Sequence, residues 1–443
     1  VGDPTARPYT HLKMCPDADV TDSAESLVEK NLNWNFSVNV LDNMFYALAV
    51  SLVSQETIMP LLVSELTDST IAVGLIPAIF SLSFLLPQLF VANHAEGLPR
   101  KLPFVLLGSG LLQRLPYPLI GIALLLFAIE APGLALPLFF IGIATAAFGG
   151  GIVTPAWFSM IGVVVPTRRR GIFFGLADGG GLLMGVIGAY FVGRVLDTVA
   201  YPGSFALLFL VAGLIHAISW FSLSLTREPP SDAVKKPVQL RHYFRRLPSV
   251  LRGNDNYRRF LIGYALLRLS MMAVSFFIVF GNINYDLSGA DIGLLNAIFI
   301  GTQALMRLLF GWLGDRWGHK RNLVISAVSM ALAAAFALNS SAVAGLIPAF
   351  ICLACAISSD MVSHFNIVLE FAEPADQPTY IGLTNTLMAP FTFAGPILAG
   401  WIAEAFDIEL LFAVSLGFGI VGAALLWRWV REPRQIAGRE AKA

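Results

Sequence analysis

Gly311-Trp312-Leu313-Gly314-Asp315-Arg316-Trp317-Gly318-His319-Lys320-Arg321 separates two long apolar stretches with a turn that holds one acid and three permanent cations. Its glycines let two helix ends come close. Asp315 is placed to accept hydrogen bonds from the free amides of a neighbouring helix start, where negative charge is favoured. Lys320 and Arg321 are placed to hold the turn at a membrane surface. The rest of the chain agrees that the flanking stretches lie in lipid: 56% of it is hydrophobic, 13% is charged and the mean hydropathy is +0.71, outside the range of soluble globular proteins. With 29 acids and 29 bases the net charge is zero, so no global field attracts nucleic acid or an acidic partner. Three cysteines are too few for a disulfide framework. Cys352 and Cys355, inside an apolar run without His or further Cys nearby, read as small packing residues.

Working outward from the turn, twelve stretches are long enough to cross a hydrocarbon layer of ~30 Å. They cover residues 40–64, 71–93, 102–128, 135–164, 171–196, 203–225, 260–283, 291–310, 322–339, 344–369, 381–404 and 409–430. With the N-terminus inside, the inner loops hold Arg100, Lys101, Arg168, Arg169, Arg170, Arg316, Lys320 and Arg321, whereas the outer loops hold only Arg194 among acids such as Glu65, Asp68, Glu130 and Asp197. That cation bias predicts an integral, multi-pass protein of the plasma or inner membrane with both termini cytoplasmic. No signal peptide is expected at the start, because residues 1–37 are polar with six acids against three bases; a short surface helix is expected around Ser23 to Asn31. The expected division is an acidic extension at 1–37, one six-helix bundle at 38–226, a cytoplasmic linker at 227–259, a second bundle at 260–430 and a tail at 431–443. Residues 226–259 carry nine Lys/Arg against three Asp/Glu, and Arg241 to Arg246 can lie on anionic lipid.

The two bundles echo one another. Gly74-Leu75-Ile76-Pro77-Ala78-Ile79-Phe80 in span two recurs as Gly293-Leu294-Leu295-Asn296-Ala297-Ile298-Phe299 in span eight, an offset of 219. Gly175-Leu176-Ala177-Asp178 recurs as Gly382-Leu383-Thr384-Asn385 at an offset of 207, which also relates Gly188 to Gly395 and Gly193 to Gly400. Arg227-Glu228-Pro229 recurs as Arg431-Glu432-Pro433. The turn Gly311 to Arg321 resembles the inner-loop signature of the major facilitator superfamily, G-x-x-x-D-[RK]-x-G-[RK]-[RK]. The resemblance implies an all-α membrane protein of twelve transmembrane helices in two pseudo-symmetric six-helix bundles, with a substrate path between them near the bilayer midplane. It places Gly311, Gly314, Asp315, Arg316, Gly318, Lys320 and Arg321 in an inner-gate loop. The first-half copy is degraded, with Ala95 where the aspartate belongs and Glu96 one position on.

An ionisable side chain at the centre of a span costs about 2.5–3.5 kcal/mol on insertion scales. Asp42 and Glu56 on span one, Arg114 on three, Asp178 on five, His216 on six, Arg268 on seven, Arg307 on eight, and Asp360 and His364 on ten are such residues. Asp42 and Glu56 are 14 residues apart, which on a continuous helix puts both on one face, about 21 Å apart in height, as stations of a proton route. Glu56, between Gln55 and Thr57 and ahead of Pro60, is the stronger candidate for proton coupling or substrate contact. Arg268 and Asp360 lie at matching depth and are expected to pair, with His364 one turn below Asp360. By resemblance, spans five and eight meet across the halves, so Asp178 and Arg307 are expected to touch near the inner gate and to part when the protein faces inward. Span three is peripheral in the superfamily layout, so Arg114 reads as structural, and His216 as a hydrogen-bonded packing histidine. Glycines 171, 175, 179, 181 and 185 suggest a close helix interface that rocks. Trp157, Phe158, Phe276, Phe277, Phe365, Phe391 and Phe393 are candidate cavity aromatics.

No nucleotide motif, metal constellation or nucleophile–base–acid set is present, so neither an enzyme nor a cofactor or metal site is expected. The reading is a secondary active transporter working by alternating access, driven by protons or sodium. It exports a small, amphipathic molecule, with membrane lipids around it and no nucleic acid. Span four lacks the arginine of drug-exporter branches, span five reads Gly185-Val186-Ile187-Gly188 without proline, and the loop after span six lacks a sugar-transporter signature. The competing readings are a non-transporting assembly or sensing subunit of a larger membrane complex, and a lipid translocator.

Overall fold

A computed structural model describes residues 18–96, 98–229, 254–372 and 377–433, without the side chains of 18–26, 89–90, 92–97, 167 and 377–379. The basic segment Arg241 to Arg246 and the side chains of Ala95 and Glu96 lie outside the described residues. All regular structure among the described residues is helical: α1 (Ala18–Leu52), α2 (Ile58–Leu66), α3 (Thr70–Glu96), α4 (Leu102–Gly108), α5 (Pro116–Phe127), α6 (Pro132–Val164), α7 (Thr167–Thr198), α8 (Gly203–Ser224), α9 (Asp255–Ser270), α10 (Phe276–Tyr285), α11 (Gly289–Trp317), α12 (His319–Leu338), α13 (Val343–Glu370), α14 (Gln377–Ala405) and α15 (Ile408–Arg428). A π-turn, Ser109–Arg114, joins α4 to α5, and a 3₁₀ turn, Met271–Ala273, follows α9. Among the described residues, eleven helical stretches are long and apolar enough to cross a membrane, the form in which a chain satisfies its backbone in lipid.

The stretch 40–64, expected to be the first span in the chain, is not among those eleven and is not the unbroken helix that its composition predicts. It consists of the later part of α1 and of α2, with a break over 53–57. Pro60 stands three residues into α2, and its ring excludes a regular helix at the carbonyl four residues back, Glu56. Ser54 fills the gap: its carbonyl accepts from the amides of Ile58 at 3.0 Å and Met59 at 2.9 Å, while its hydroxyl donates to Glu56 Oε2 at 3.1 Å and accepts from the Glu56 amide at 3.3 Å. Span seven breaks at the matching place, between α9 and α10. The 219 offset relates Ser51 to Ser270, and their hydroxyls donate to the Leu48 and Leu267 carbonyls, each at 2.7 Å. At the other end, α1 runs through the boundary expected at residue 37, so residues 18–37 are continuous with the helix that follows rather than a separate one.

The turn at 311–321 is also shorter than expected. α11 continues to Trp317 and α12 starts at His319, leaving Gly318 alone between them at φ +90°, where an L side chain is strained. The Glu432 carboxylate occupies the space a Cβ on Gly318 would take. The first half uses the same device: Glu228 accepts from the Lys101 and Leu102 amides, each at 2.8 Å, at the start of α4. The residue before each glutamate is clasped alike. Asn35 holds the Arg227 amide at 2.8 Å and its carbonyl at 3.0 Å, and Asn256 holds both groups of Arg431 at 2.8 Å. The Arg-Glu-Pro echo is thus two copies of one clasp that ties the last helix of each half to its first and third spans.

These clasps mark one face of the molecule, the linker face. At the opposite, far face the halves touch backbone to backbone. A Cβ on Gly293 would lie 2.8 Å from Gly193 Cα, joining α11 to α7, and one on Gly400 would lie 2.6 Å from the Thr70 carbonyl, joining α14 to α3. Toward the linker face α7 and α11 part, and a Cβ on Gly171, Gly175, Gly179 or Gly311 would meet nothing within 4 Å. The glycine stripe expected at 171, 175 and 179 is therefore the open one. Gly180, Gly181 and Gly188 pack on α1 instead, against Met44, Ala47 and Ser51.

Candidate functional site

Where the halves part lies a cavity of about 440 Å³ whose walls include Glu56, Asp178, Gly185, Gln303, Arg307 and Met361. Two recesses adjoin it. One of about 190 Å³ reaches into the second half and shares Glu56 and Met361 with it. The other, of about 260 Å³, reaches into the first half and shares Asn43 and Tyr46. Glu56 is delivered to the centre by the break in span one. Asn296 supports that break from the other half, accepting from the Thr57 hydroxyl at 3.1 Å and donating to the Ser51 carbonyl at 3.4 Å. In the repeat Asn296 stands where the first half has Pro77, which offers no such groups.

Asp42 and Glu56 are not successive stations on one face, because the helix breaks between them. Asp42 lines the first-half recess and is neutralised there by Arg114, whose Nη2 lies 3.0 Å from Asp42 Oδ1, with both side chains buried. Ser219 donates to the same oxygen at 2.6 Å, and Gln113 donates to the Tyr46 hydroxyl at 3.0 Å. The π-turn Ser109–Arg114 carries Gln113 and Arg114 into the bundle, so Arg114 belongs to the recess rather than to the periphery where its span number put it. Gly149 leaves room for this turn: a Cβ there would lie 2.5 Å from the Gln113 amide nitrogen. π-Turns inside α-helices recur at functional sites. His216 packs between the Tyr46 and Tyr117 rings, at 5.2 and 4.7 Å, with neither nitrogen hydrogen-bonded, so it is a packing histidine without the hydrogen bond expected of it.

In the second half Arg268 donates to Asp360 at 2.8 Å, as their depths predict, and reaches Thr392 at 3.3 Å. Asp360 Oδ1 is buried with no hydrogen-bond partner. His364 is turned away from that carboxylate. Its Nδ1 lies 2.8 Å from the Asp360 carbonyl and its ring 4.0 Å from that of Phe365.

Asp178 and Arg307 form no ion pair; they stand on separate walls of the central cavity, where α7 and α11 have parted. Arg307 donates to Gln303 at 3.0 Å and lies 3.4 Å from the Met361 sulfur, and its field reaches both Asp178 and Glu56. Among the described residues that line the cavity and its recesses, each half therefore holds one internally neutralised pair, while two carboxylates of the first half face one guanidinium of the second across open space. Of the expected aromatics, Trp157, Phe158 and Phe391 line recesses, whereas Phe276 and Phe277 are sealed in the core near the far face.

At the linker face the signature cations are held by indoles. Arg316 lies 5.3 Å over Trp312, Arg321 6.0 Å over Trp317, and Lys320 5.3 Å over Trp427, to whose carbonyl it donates at 2.9 Å. Such rings suit a membrane–water boundary. Asp315 is exposed at the end of α11. His319, which no sequence signal marked as buried, packs against Gly314 with Nδ1 3.2 Å from the Ser363 hydroxyl and Nε2 3.9 Å from Glu370.

Residues 260–443 match the family model of the Major Facilitator Superfamily. The chain is 26% identical over 284 residues to the MFS-type transporter pynF of Aspergillus niger, a match spanning 60% of this chain and 61% of that protein's length. Among solved structures it resembles a mutant of the nucleoside transporter NupG (TM-score 0.69, 13% identity, 90% of this chain and 100% of that one). It also resembles the peptide transporter POT in complex with sulfate (0.65, 13%, 90% and 95%) and, in an inward-facing and unoccupied conformation, a bacterial homolog to the human lysosomal transporter Spinster (0.61, 16%, 91% and 96%). The chain is thus similar to the major facilitator superfamily in two ways: the family model matches its second half, and the fold of these transporters is shared along 90% of its length.

Proposed function

We propose that the protein is a secondary active transporter, not an enzyme, that carries a small amphipathic molecule across the membrane by alternating access in exchange for protons. The observation that carries this reading is the cavity between the halves. It is open toward the linker face, closed at the far face, and walled by charges that belong to different halves and are left unpaired across it. Ion pairs inside one half survive a rocking motion, but Glu56, Asp178 and Arg307 change surroundings with it. The cation bias of the short loops supports a cytoplasmic linker face and cytoplasmic termini in a plasma or inner membrane, so the state described here faces inward. A cargo enters from the cytoplasm and lies against the aromatic walls of the recesses. Glu56, which has Ser54 as its hydrogen-bond donor, takes up a proton when water reaches it from outside and releases it inward. Sodium in place of the proton fits the same carboxylates.

The test is proton flux in proteoliposomes, with a panel of amphipathic compounds and small metabolites, for wild type beside Glu56→Gln. Cargo-dependent flux that falls at least about tenfold in the variant is the expected result, since a neutral amide cannot exchange the proton. Flux unchanged in Glu56→Gln overturns the assignment of Glu56. Silence of the wild type across the panel, with a stoichiometric protein partner co-purifying, favours an assembly subunit; activity on labelled lipids favours a lipid translocator.

A further inference from the structure

The far face is closed in two places related by the pseudo-twofold, and the two are not chemically equivalent. At one, α11 of the second half begins against the end of α7. At the other, α3 of the first half begins against the end of α14. The 219 offset matches Ser69, Thr70 and Ala72 at the start of α3 to Ser288, Gly289 and Asp291 at the start of α11, and the 207 offset matches Asp197 at the end of α7 to Glu404 at the end of α14.

A helix start leaves amides without partners inside the helix, and an acid there satisfies them and complements the helix dipole. α11 provides for itself. Ser288 accepts from the Asp291 amide at 3.1 Å and Asp291 accepts from the Ser288 amide at 3.1 Å, a complete capping box within one half. α3 has Ala72 where α11 has Asp291, and no acid in its first turn. Its acid comes from the other half: Glu404 Oε2 accepts from the Ser69 hydroxyl at 2.8 Å and from the Ile71 amide at 3.3 Å, and the Thr70 hydroxyl donates to the Gly400 carbonyl at 2.7 Å beside it.

We propose that Glu404 is a gate residue, a helix cap supplied by the opposite half that holds the far face shut. A contact biases a conformational equilibrium only if it exists in one state and not in the other. The Ser288–Asp291 box travels with α11 and is present whether the far face is open or closed. The Glu404 cap is lost as soon as α14 leaves α3, and the Ile71 amide and Ser69 hydroxyl return to water. The asymmetry therefore sets the resting state: far face closed, cavity open toward the linker.

The experiment uses the full chain in lipid nanodiscs with Cys15, Cys352 and Cys355 replaced by serine and spin labels at Glu65→Cys and Phe406→Cys, exposed positions at the far face in different halves. Pulsed dipolar spectroscopy then reads the ratio of far-face-open to far-face-closed molecules without any cargo, so its outcome stands apart from the transport assay. Glu404→Gln is expected to raise that ratio about three- to tenfold, the range of a lost exposed cap and dipole contact. Ser69→Ala is expected to raise it less, and Asp197→Asn, the mirror position, to leave it unchanged because α11 caps itself. A distance distribution unaltered by Glu404→Gln overturns the proposal. So does an equal shift from Asp197→Asn, which would make the effect one of far-face charge rather than of the cap.

Discussion

Arg114 shows what a single intramembrane charge does and does not reveal. Its presence in an apolar span marked it as a residue that must have a partner, and the same rule marked Asp42, Glu56, Asp178, Arg268, Arg307 and Asp360, all of which line the cavity or its recesses. Which charge meets which was legible only where the helices are regular. Arg268 and Asp360 pair as depth counting predicts, whereas the π-turn at 109–114 adds a residue to the helical count and turns Arg114 inward to Asp42. Because both members are buried, removing one strands the other as an uncompensated charge, a loss of about 3–5 kcal/mol, while replacing both by apolar groups is close to neutral. Arg114→Met is therefore expected to lower the melting temperature in detergent steeply, and Arg114→Met with Asp42→Leu to recover most of the loss. A double variant as unstable as the single one would mean that the pair is needed for more than its own charge balance.

The elements were legible as periods and lengths, and their interruptions were not. Twelve apolar stretches give the bundle, and the offsets of 219 and 207 give its two halves. The breaks in spans one and seven arise from local competition, with Ser54 and Ser270 hydroxyls satisfying backbone groups near Pro60 and the Met271–Ala273 turn, and hydropathy averages over such details. The turn at 311–321 is misjudged for the opposite reason: its charges suggest a loop, yet Glu432 at the start of α12 lets both helices run on until Gly318 alone is left. Gly318 and Gly311, at the two ends of the signature's glycine series, therefore have different roles. Gly318→Ala forces a side chain to φ +90° and onto the Glu432 carboxylate, a cost of about 1–3 kcal/mol, while Gly311→Ala adds a methyl where nothing lies within 4 Å. Thermal unfolding of the two variants should separate them, with Gly318→Ala several degrees below wild type and Gly311→Ala level with it.

For the molecule as a whole, the question is what brings Asp178 and Arg307 together, since the contact implied by the family resemblance is absent in this state. The answer lies in the register of α7 against α11. These helices run antiparallel and are already zipped at the far face, with Gly193 against Gly293 and Gly185 against Ile300. Seven residues further toward the linker on each helix stand Asp178 and Arg307, and about one turn beyond those, Gly175 and Gly311. If the halves rock so that the zipper closes toward the linker face, the guanidinium and carboxylate meet at the same level, and the two glycines leave room for the helices to touch. The far-face contacts must open in exchange, because two packed halves pivot about their middle rather than compress. A protein with Gly175→Cys and Gly311→Cys, in a background lacking its native cysteines, tests this directly. Oxidative cross-linking between these positions should be slow in the resting state and accelerate when Glu404→Gln weakens the far-face lock, with the Glu65–Phe406 spin-label distance lengthening in the cross-linked fraction. Cross-linking at equal rates in both backgrounds, or with the far-face distance unchanged, would mean that the two faces open and close independently, and Asp178 and Arg307 would then have no part in an exchange between them.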